Sequence, residues 1–157
     1  MAVTESTCIS LIKDGKWLML LRNRKDHDIN KGKWIGIGGK KEKGETWQMC
    51  AMREAYEESG LSLHSLHEMG HVHFHQDGCE DEHIVVYTCT DFSGTLQQCS
   101  EGTLKWIEEK DILSLNLWPG DRIFLSRIIE NERIPFDLYL TYDADGKLIE
   151  NKEKTIL

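Results

Sequence analysis

The chain has 157 residues, enough to bury a proper core in one compact domain and too few for a sizeable second one. With 27 Asp and Glu against 19 Lys and Arg, its formal net charge is −8, which argues against a surface for nucleic-acid polymers. No apolar run is long enough to span a membrane, and the opening MAVTEST lacks the basic and apolar segments of a signal peptide, so a cytoplasmic location is expected.

In chain order, residues 7–12 and 17–21 read as two strands joined at Asp14-Gly15, a strong hairpin signal. The polar stretch 23–33 reads as a loop, and residues 34–37 as a short strand running into Gly38-Gly39. A helix is expected over 47–59, anchored by an apolar stripe of Trp47, Ala51, Met52 and Ala55. Two longer strands, 64–75 and 83–90, flank the turn-like QDGCEDE, and 103–107 is another strand. Residues 119–131 suit a second helix, with Pro119 in its first turn. Residues 136–142, the turn DADG and residues 147–150 close the chain. Strands interrupted by two helices imply an α/β sandwich, with a mixed sheet between helices.

The five cysteines are scattered without a CxxC pair, a pattern of reduced and mostly buried thiols. His71, His73 and His75 alternate, so a strand would put them on one face. That alternation suits a polar strand face better than a transition-metal site, because HxHxH fixes neither geometry nor a fourth ligand.

The chemistry is concentrated in GKKEKGETWQMCAMREAYEESGL, residues 39–61. On a helix, Glu54, Glu57 and Glu58 stand at i, i+3 and i+4 and project from one face. Like charges at that spacing repel and call for a cation, with Arg53, one turn before Glu57, giving partial relief. Oxygen-only ligands suit a hard divalent ion, chiefly Mg²⁺ or Mn²⁺, which normally takes phosphate oxygens as well. The glycines before the helix let backbone approach metal and phosphate closely.

The order of residues in this stretch fits Gx5Ex7REUxEExGU, with U aliphatic, at Gly39, Glu45, Arg53, Glu54, Ala55, Glu57, Glu58, Gly60 and Leu61. The fixed Gly, Glu and Arg positions would coincide by chance with odds on the order of one in a million. The chain thereby resembles the Nudix hydrolases. Ala55 at an aliphatic position is its one soft match. The resemblance implies an α/β/α fold and hydrolysis of a nucleoside diphosphate linked to another moiety. It further implies Glu54, Glu57 and Glu58 holding Mg²⁺ with the Gly38 carbonyl, Arg53 orienting the glutamates, and a structural Glu45. Spacing leaves the choice of base among the glutamates open, since coupled carboxylates titrate as a group.

The segments GKWIGIGGK, CSEGTLKWIEEKDI and NLWPGDRIF extend the likeness to the MutT-type and MutX-type oxidised-purine nucleoside triphosphatases, which cleanse the nucleotide pool. That branch implies Glu101 as a further metal ligand, against the plainer reading of a surface loop acid. Its substrate side maps to Ile35, Gly38, Gly39, Lys40, Trp118 and Asp121. Trp118 would lie beside the purine or simply pack the core. Asp121, able to share a proton with a base edge, would tell an oxidised purine from guanine. Ile35 stands where the vertebrate pattern has an asparagine, and Gly120 where it has the first of two aspartates, so two polar base contacts are missing.

The expected activity is Mg²⁺-dependent conversion of 8-oxo-dGTP to its monophosphate and pyrophosphate. Other Nudix substrates, ADP-ribose or an unmodified (d)NTP, stand as alternatives, as does a nucleotide-sensing module without turnover. Intact Glu54, Glu57 and Glu58 argue against the sensor. The expected partner is a small nucleotide, bound by a monomer or a homodimer, with apolar residues of the C-terminal strands serving either a core or a dimer interface.

Overall fold

The computed structural model describes residues 3–24, 27–28, 30–130 and 135–154. Residues 25, 26 and 29 of the expected 23–33 loop and residue 131 of the expected second helix lie outside the described residues. In order, the strands are β1 (Thr4–Lys13), β2 (Lys16–Leu21), β3 (Trp34–Ile35), β4 (Leu61–Leu63), β5 (His67–Gln76), β6 (Glu82–Cys89), β7 (Phe92–Gly94), β8 (Thr103–Glu108), β9 (Phe136–Tyr142) and β10 (Leu148–Glu153). Helix α1 (Trp47–Ser59) follows β3, and α2 (Pro119–Ile129) follows a 3-10 segment, Glu109–Ser114.

The main sheet runs β10-β9-β5-β6-β1-β2-β3, with β8 on β2, and a small β4-β7 pair stands apart. Strands β1 and β2 form the expected hairpin but pair only beside their turn, at Ile12–Trp17 and Lys13–Lys16. Beyond that point they part: β2 continues with β8 and β3, and β1 with β6. The segment after β3 fills the gap left on β1, through bridges Ile9–Ile37 and Ser6–Lys40. The glycine-rich loop is thereby laced to a central strand.

Alternation within strands builds a core on each face. On β9, Phe136, Leu138, Leu140 and Tyr142 all turn inward to pack with Phe124, Leu125 and Ile128 of α2. On the other face Ile9, Leu11, Val85 and Tyr87 meet Ala51 and Ala55 of α1. The apolar residues of β9 thus enter the core, each fully buried large side chain contributing roughly 2 kcal/mol, whereas Ile149 of β10 is exposed. Met52 departs from the expected stripe: it is 40% exposed, because the buried face of α1 leans toward Cys50 and Glu58 and leaves Met52 on the outer flank.

The expected 64–75 strand is shifted to His67–Gln76. Its start belongs to a bend, with β4 ending at Leu63 and β5 beginning at His67. His71, His73 and His83 form a polar layer on the sheet face opposite α2: His71 Nδ1 and His83 Nε2 lie 2.7 Å apart, and His73 hydrogen-bonds Asp137 at 2.8 Å while stacking on Tyr139. No helix among the described residues is long and apolar enough to cross a membrane.

Candidate active site

Helix α1 starts where Thr46 Oγ1 accepts the Met49 N–H at 3.1 Å and ends at Gly60, whose φ is 78°. That fixed register sends Glu54 and Glu58 toward the Gly38-Gly39 loop, while Glu57 sits on the more exposed side. Glu58 Oε2 accepts the Gly38 N–H at 3.0 Å. The Glu54 carboxylate lies against the Gly39 Cα so closely that a Cβ at position 39 would come within 2.5 Å of Glu54 Oε2. At Gly38, whose φ is 152°, a Cβ would instead run into the backbone of β1 at the Thr7 carbonyl oxygen, and there only glycine fits.

Arg53 organises the cluster. Its guanidinium grips Glu45 with two bonds, of 2.7 and 3.0 Å, then reaches Glu54 Oε1 at 2.9 Å, Glu57 Oε2 at 3.2 Å and the Lys40 carbonyl at 3.0 Å. Held this way, Glu45 is pulled down to about 2, first by the Arg53 hydrogen bonds. Burial pushes Glu58 up to about 8, with repulsion from Glu54 and Glu101 adding to it and the Gly38 N–H opposing it. Glu54 is raised for the same leading reason, its burial. Glu101, ahead of β8, acts on both and pairs with Arg22 at 3.4 Å.

Three glutamates from two elements therefore share one field, facing the glycine loop. As they stand, no group of three His, Cys, Asp or Glu among the described residues closes around an ion. Arg53 instead engages Glu54 and Glu57. The donor chemistry nonetheless fits a divalent hard ion: carboxylate oxygens only, kept partly buried, with their mutual repulsion raising Glu54 and Glu58.

From the Gly38-Gly39 loop that these glutamates face, a cavity of about 590 Å³ runs between β1, β5, β6 and α2, a size suited to a small ligand. Ile35, Gly38, Gly39, Lys40, Trp118 and Asp121 all line it. Trp118 packs at the rim of the core, its ring edging onto Tyr142, and it also borders the cavity, with Nε1 donating to Asn30 Oδ1 at 2.7 Å. Asp121 is pushed up to about 7 by burial, with Glu82 adding to the effect and Lys33 opposing it. Gly120 has a packing reason. Its N–H donates to Tyr142 Oη at 2.7 Å, and a Cβ there would lie 2.5 Å from both that oxygen and Leu140 Cδ1.

Arg22, Glu82 and Gln76 also line the cavity and were not singled out from the sequence. Arg22, at the junction of β2 and a polar loop, is anchored by Asp28 at 2.6 Å and carries no motif of its own. Glu82 did leave a trace: in strand phase it falls in register with Ile84 and Val86, on a row that is otherwise apolar. Cys8 marks the passage between the two ends of the site. Burial raises its thiol most, and Asp121, Glu58 and Glu82 all raise it further.

A family model for the NUDIX domain matches residues 4–128. Over 115 residues the chain is 30% identical to a mouse protein named oxidized purine nucleoside triphosphate hydrolase, covering 73% of this chain and 74% of the relative. It is 29% identical over 121 residues to a CTP pyrophosphohydrolase of Escherichia coli, covering 77% and 87%. A solved MutT protein from Bacillus halodurans superposes with a TM-score of 0.86 over 97% of this chain and 98% of its own, at 22% identity, a likeness of fold. The helix that places the glutamates under the glycine loop falls inside the stretch matched by the family model, and on that ground the chain belongs to the Nudix family.

Proposed function

We propose that this Nudix hydrolase is a nucleoside triphosphate pyrophosphohydrolase whose preferred substrate is an oxidised purine, 8-oxo-dGTP, which it converts to the monophosphate and pyrophosphate. The observation that carries the reading is Asp121, a carboxyl with a pKa near 7 that lines a cavity beside Trp118 and leads to the glutamate cluster. A carboxyl balanced between its two protonation states can donate to or accept from a base edge, which suits a purine whose donor and acceptor pattern has been altered. The mouse relative's name points the same way, and the bacterial relative's name makes CTP the competitor to test.

Glu54, Glu57, Glu58 and Glu101, with the Gly38 carbonyl, would hold Mg²⁺, or Mn²⁺ in its place. When bound, such an ion supplies positive charge to phosphate oxygens and lowers the pKa of a coordinated water. The chain's own groups do the rest. Arg53 holds Glu54 and Glu57 in place through its bonds to Glu45 and the Lys40 carbonyl. Arg22 and Lys40 line the cavity and would meet the phosphates, and Trp118 would flank the base. Water attacks an inner phosphorus, the bond to the bridging oxygen breaks, pyrophosphate leaves, and one proton passes to a base of the glutamate cluster.

The experiment is kcat/KM for 8-oxo-dGTP, dGTP, CTP and ADP-ribose with Mg²⁺, with products separated. A preference for 8-oxo-dGTP over dGTP of tenfold or more supports the proposal. Equal use of the two, or a preference for CTP or ADP-ribose, removes it. Absence of pyrophosphate release from every nucleotide would leave a sensing module.

A further inference from the structure

The sheet face toward α2 is apolar in its depth and polar at its cavity end. Along β6 the inward row is Glu82, Ile84 and Val86, and along β5 it is Val72, Phe74 and Gln76. Phe74 and Glu82 are register partners, and Thr4 of β1 is the partner of Glu82 on its other side. The last inward residues of both strands are therefore hydrogen-bonding side chains at the cavity, where the pattern behind them would continue as hydrocarbon. A carboxylate in such a row costs free energy unless something meets it.

The two groups are met unequally within the protein. Burial raises Glu82, while the Ser6 hydroxyl and the Lys40 ammonium draw it back. The Gln76 side chain is 4% exposed, and its Oε1 has no hydrogen-bond partner among the described residues. Across the cavity stands Asp121, on α2, close enough for Glu82 to perturb it. Two walls of one cavity thus carry carboxyls, and the β wall adds an orphaned carbonyl oxygen. Glu82 and the orphaned Gln76 Oε1 place acceptors side by side at that end of the cavity, and a ligand edge that offers N–H donors would meet both.

We propose that Glu82 is a specificity-determining residue, which together with Gln76 Oε1 accepts N–H donors from an edge of the base other than the one facing Asp121. This deepens the proposed function and rests on the cavity being the base site. Oxidation of a purine at C8 turns N7 from an acceptor into an N–H donor. In its ionised form, which the Ser6 hydroxyl and the Lys40 ammonium favour against burial, Glu82 meets the oxidised ring with a hydrogen bond, and meets the unmodified ring's N7 with a lone pair against a lone pair. Discrimination then arises from the penalty on the wrong base as much as from the bond to the right one.

The test is calorimetric binding of 8-oxo-dGMP, dGMP, dAMP and CMP to the wild type, Glu82→Leu and Glu82→Gln without added divalent ion, beside steady-state kinetics with Mg²⁺. Glu82→Leu removes a buried charge from an apolar row, so its melting temperature should equal or exceed that of the wild type. Its affinity for the base that the wild type binds best should fall by about 10- to 100-fold, while that for the weakest-bound base should hold or rise as the penalty on it is removed. Glu82→Gln should fall between. In turnover of the best triphosphate, KM should rise and kcat should stay within a factor of about two. Equal weakening of every base, or of none, overturns the role of Glu82. Should the wild type prefer an unoxidised base and Glu82→Leu erase that preference, the proposed substrate fails and the role of Glu82 stands. If the wild type prefers 8-oxo-dGMP and the variant keeps the same preference, the substrate stands and Glu82 fails.

Discussion

Asp121 ties stability to pH in a direction opposite to that of most surface carboxylates. Its pKa is near 7 in the folded chain against an ordinary 3.8, because burial and Glu82 disfavour its charged form. The folded state therefore holds the proton more tightly than the unfolded chain, a stabilisation complete below about pH 4 and lost as pH rises through 7. Asp121→Asn, which keeps the shape and removes the titration, should match the wild type in melting temperature near pH 4.5 and exceed it increasingly up to pH 8. Calorimetric scans across that range check this, and a pH-independent difference would mean that the carboxyl titrates as if in water. Glu57 supplies a contrasting case. Its side chain is 56% exposed and its tie is to Arg53, so Glu57→Gln should leave the melting temperature within a degree or two. Its turnover should fall on the order of 100- to 1,000-fold through lost charge stabilisation, and near-full turnover would take Glu57 out of the site. The glutamate set was legible in sequence because helical geometry fixes i, i+3 and i+4 without knowledge of the rest of the fold. Arg22, Glu82 and Gln76 were not, since they converge only once separate strands are paired.

Helix α1 carries Glu54 and Glu57 with Arg53 as the tie that keeps their charges from splaying. A lysine at that position cannot reproduce the two bonds to Glu45 while also reaching Glu54, Glu57 and the Lys40 carbonyl. Arg53→Lys should therefore lower kcat by about 10- to 100-fold and weaken Mg²⁺ binding in parallel. Metal titrations followed by turnover would show this, and a kcat loss with unchanged metal dependence would point away from a positioning role. The limits of the sequence reading at this scale have local causes. Strands β4 and β7 are 3 residues each and too short for an alternating pattern to register. The 3-10 segment Glu109–Ser114 mixes acidic residues with Ile112, its one buried residue, and so shows no helical stripe. Met52 was misplaced because the composition of the helix marks an apolar side without showing how far that side rotates toward the cluster.

Across the whole molecule the central strands β1 and β6 are flanked by strand partners and covered by packed cores, whereas β10 is an edge strand whose side chains are mostly exposed. Native-state hydrogen exchange should therefore be slowest in β1 and β6, with the laced residue Ile37 among the protected amides, and fastest in β10 and the β4-β7 pair. Rapid exchange at Ile37 would mean that the glycine loop opens independently of the sheet. The sandwich was foreseeable from strands alternating with two helices, but the parting of β1 from β2 was not, because a hairpin signal says how two strands begin to pair and nothing about where they separate. The hydroxyl of Tyr142, meanwhile, reaches from β9 to the backbone of Gly120 and occupies the space that a side chain there would need. A pocket wall near the start of α2 is thus written in two places more than 20 positions apart, the later one beyond the stretch matched by the family model. Any transplant of this cleft onto another scaffold of the same lineage has to carry both residues together. Moving the glycine alone leaves a hole, and moving the tyrosine alone sets it against an existing side chain.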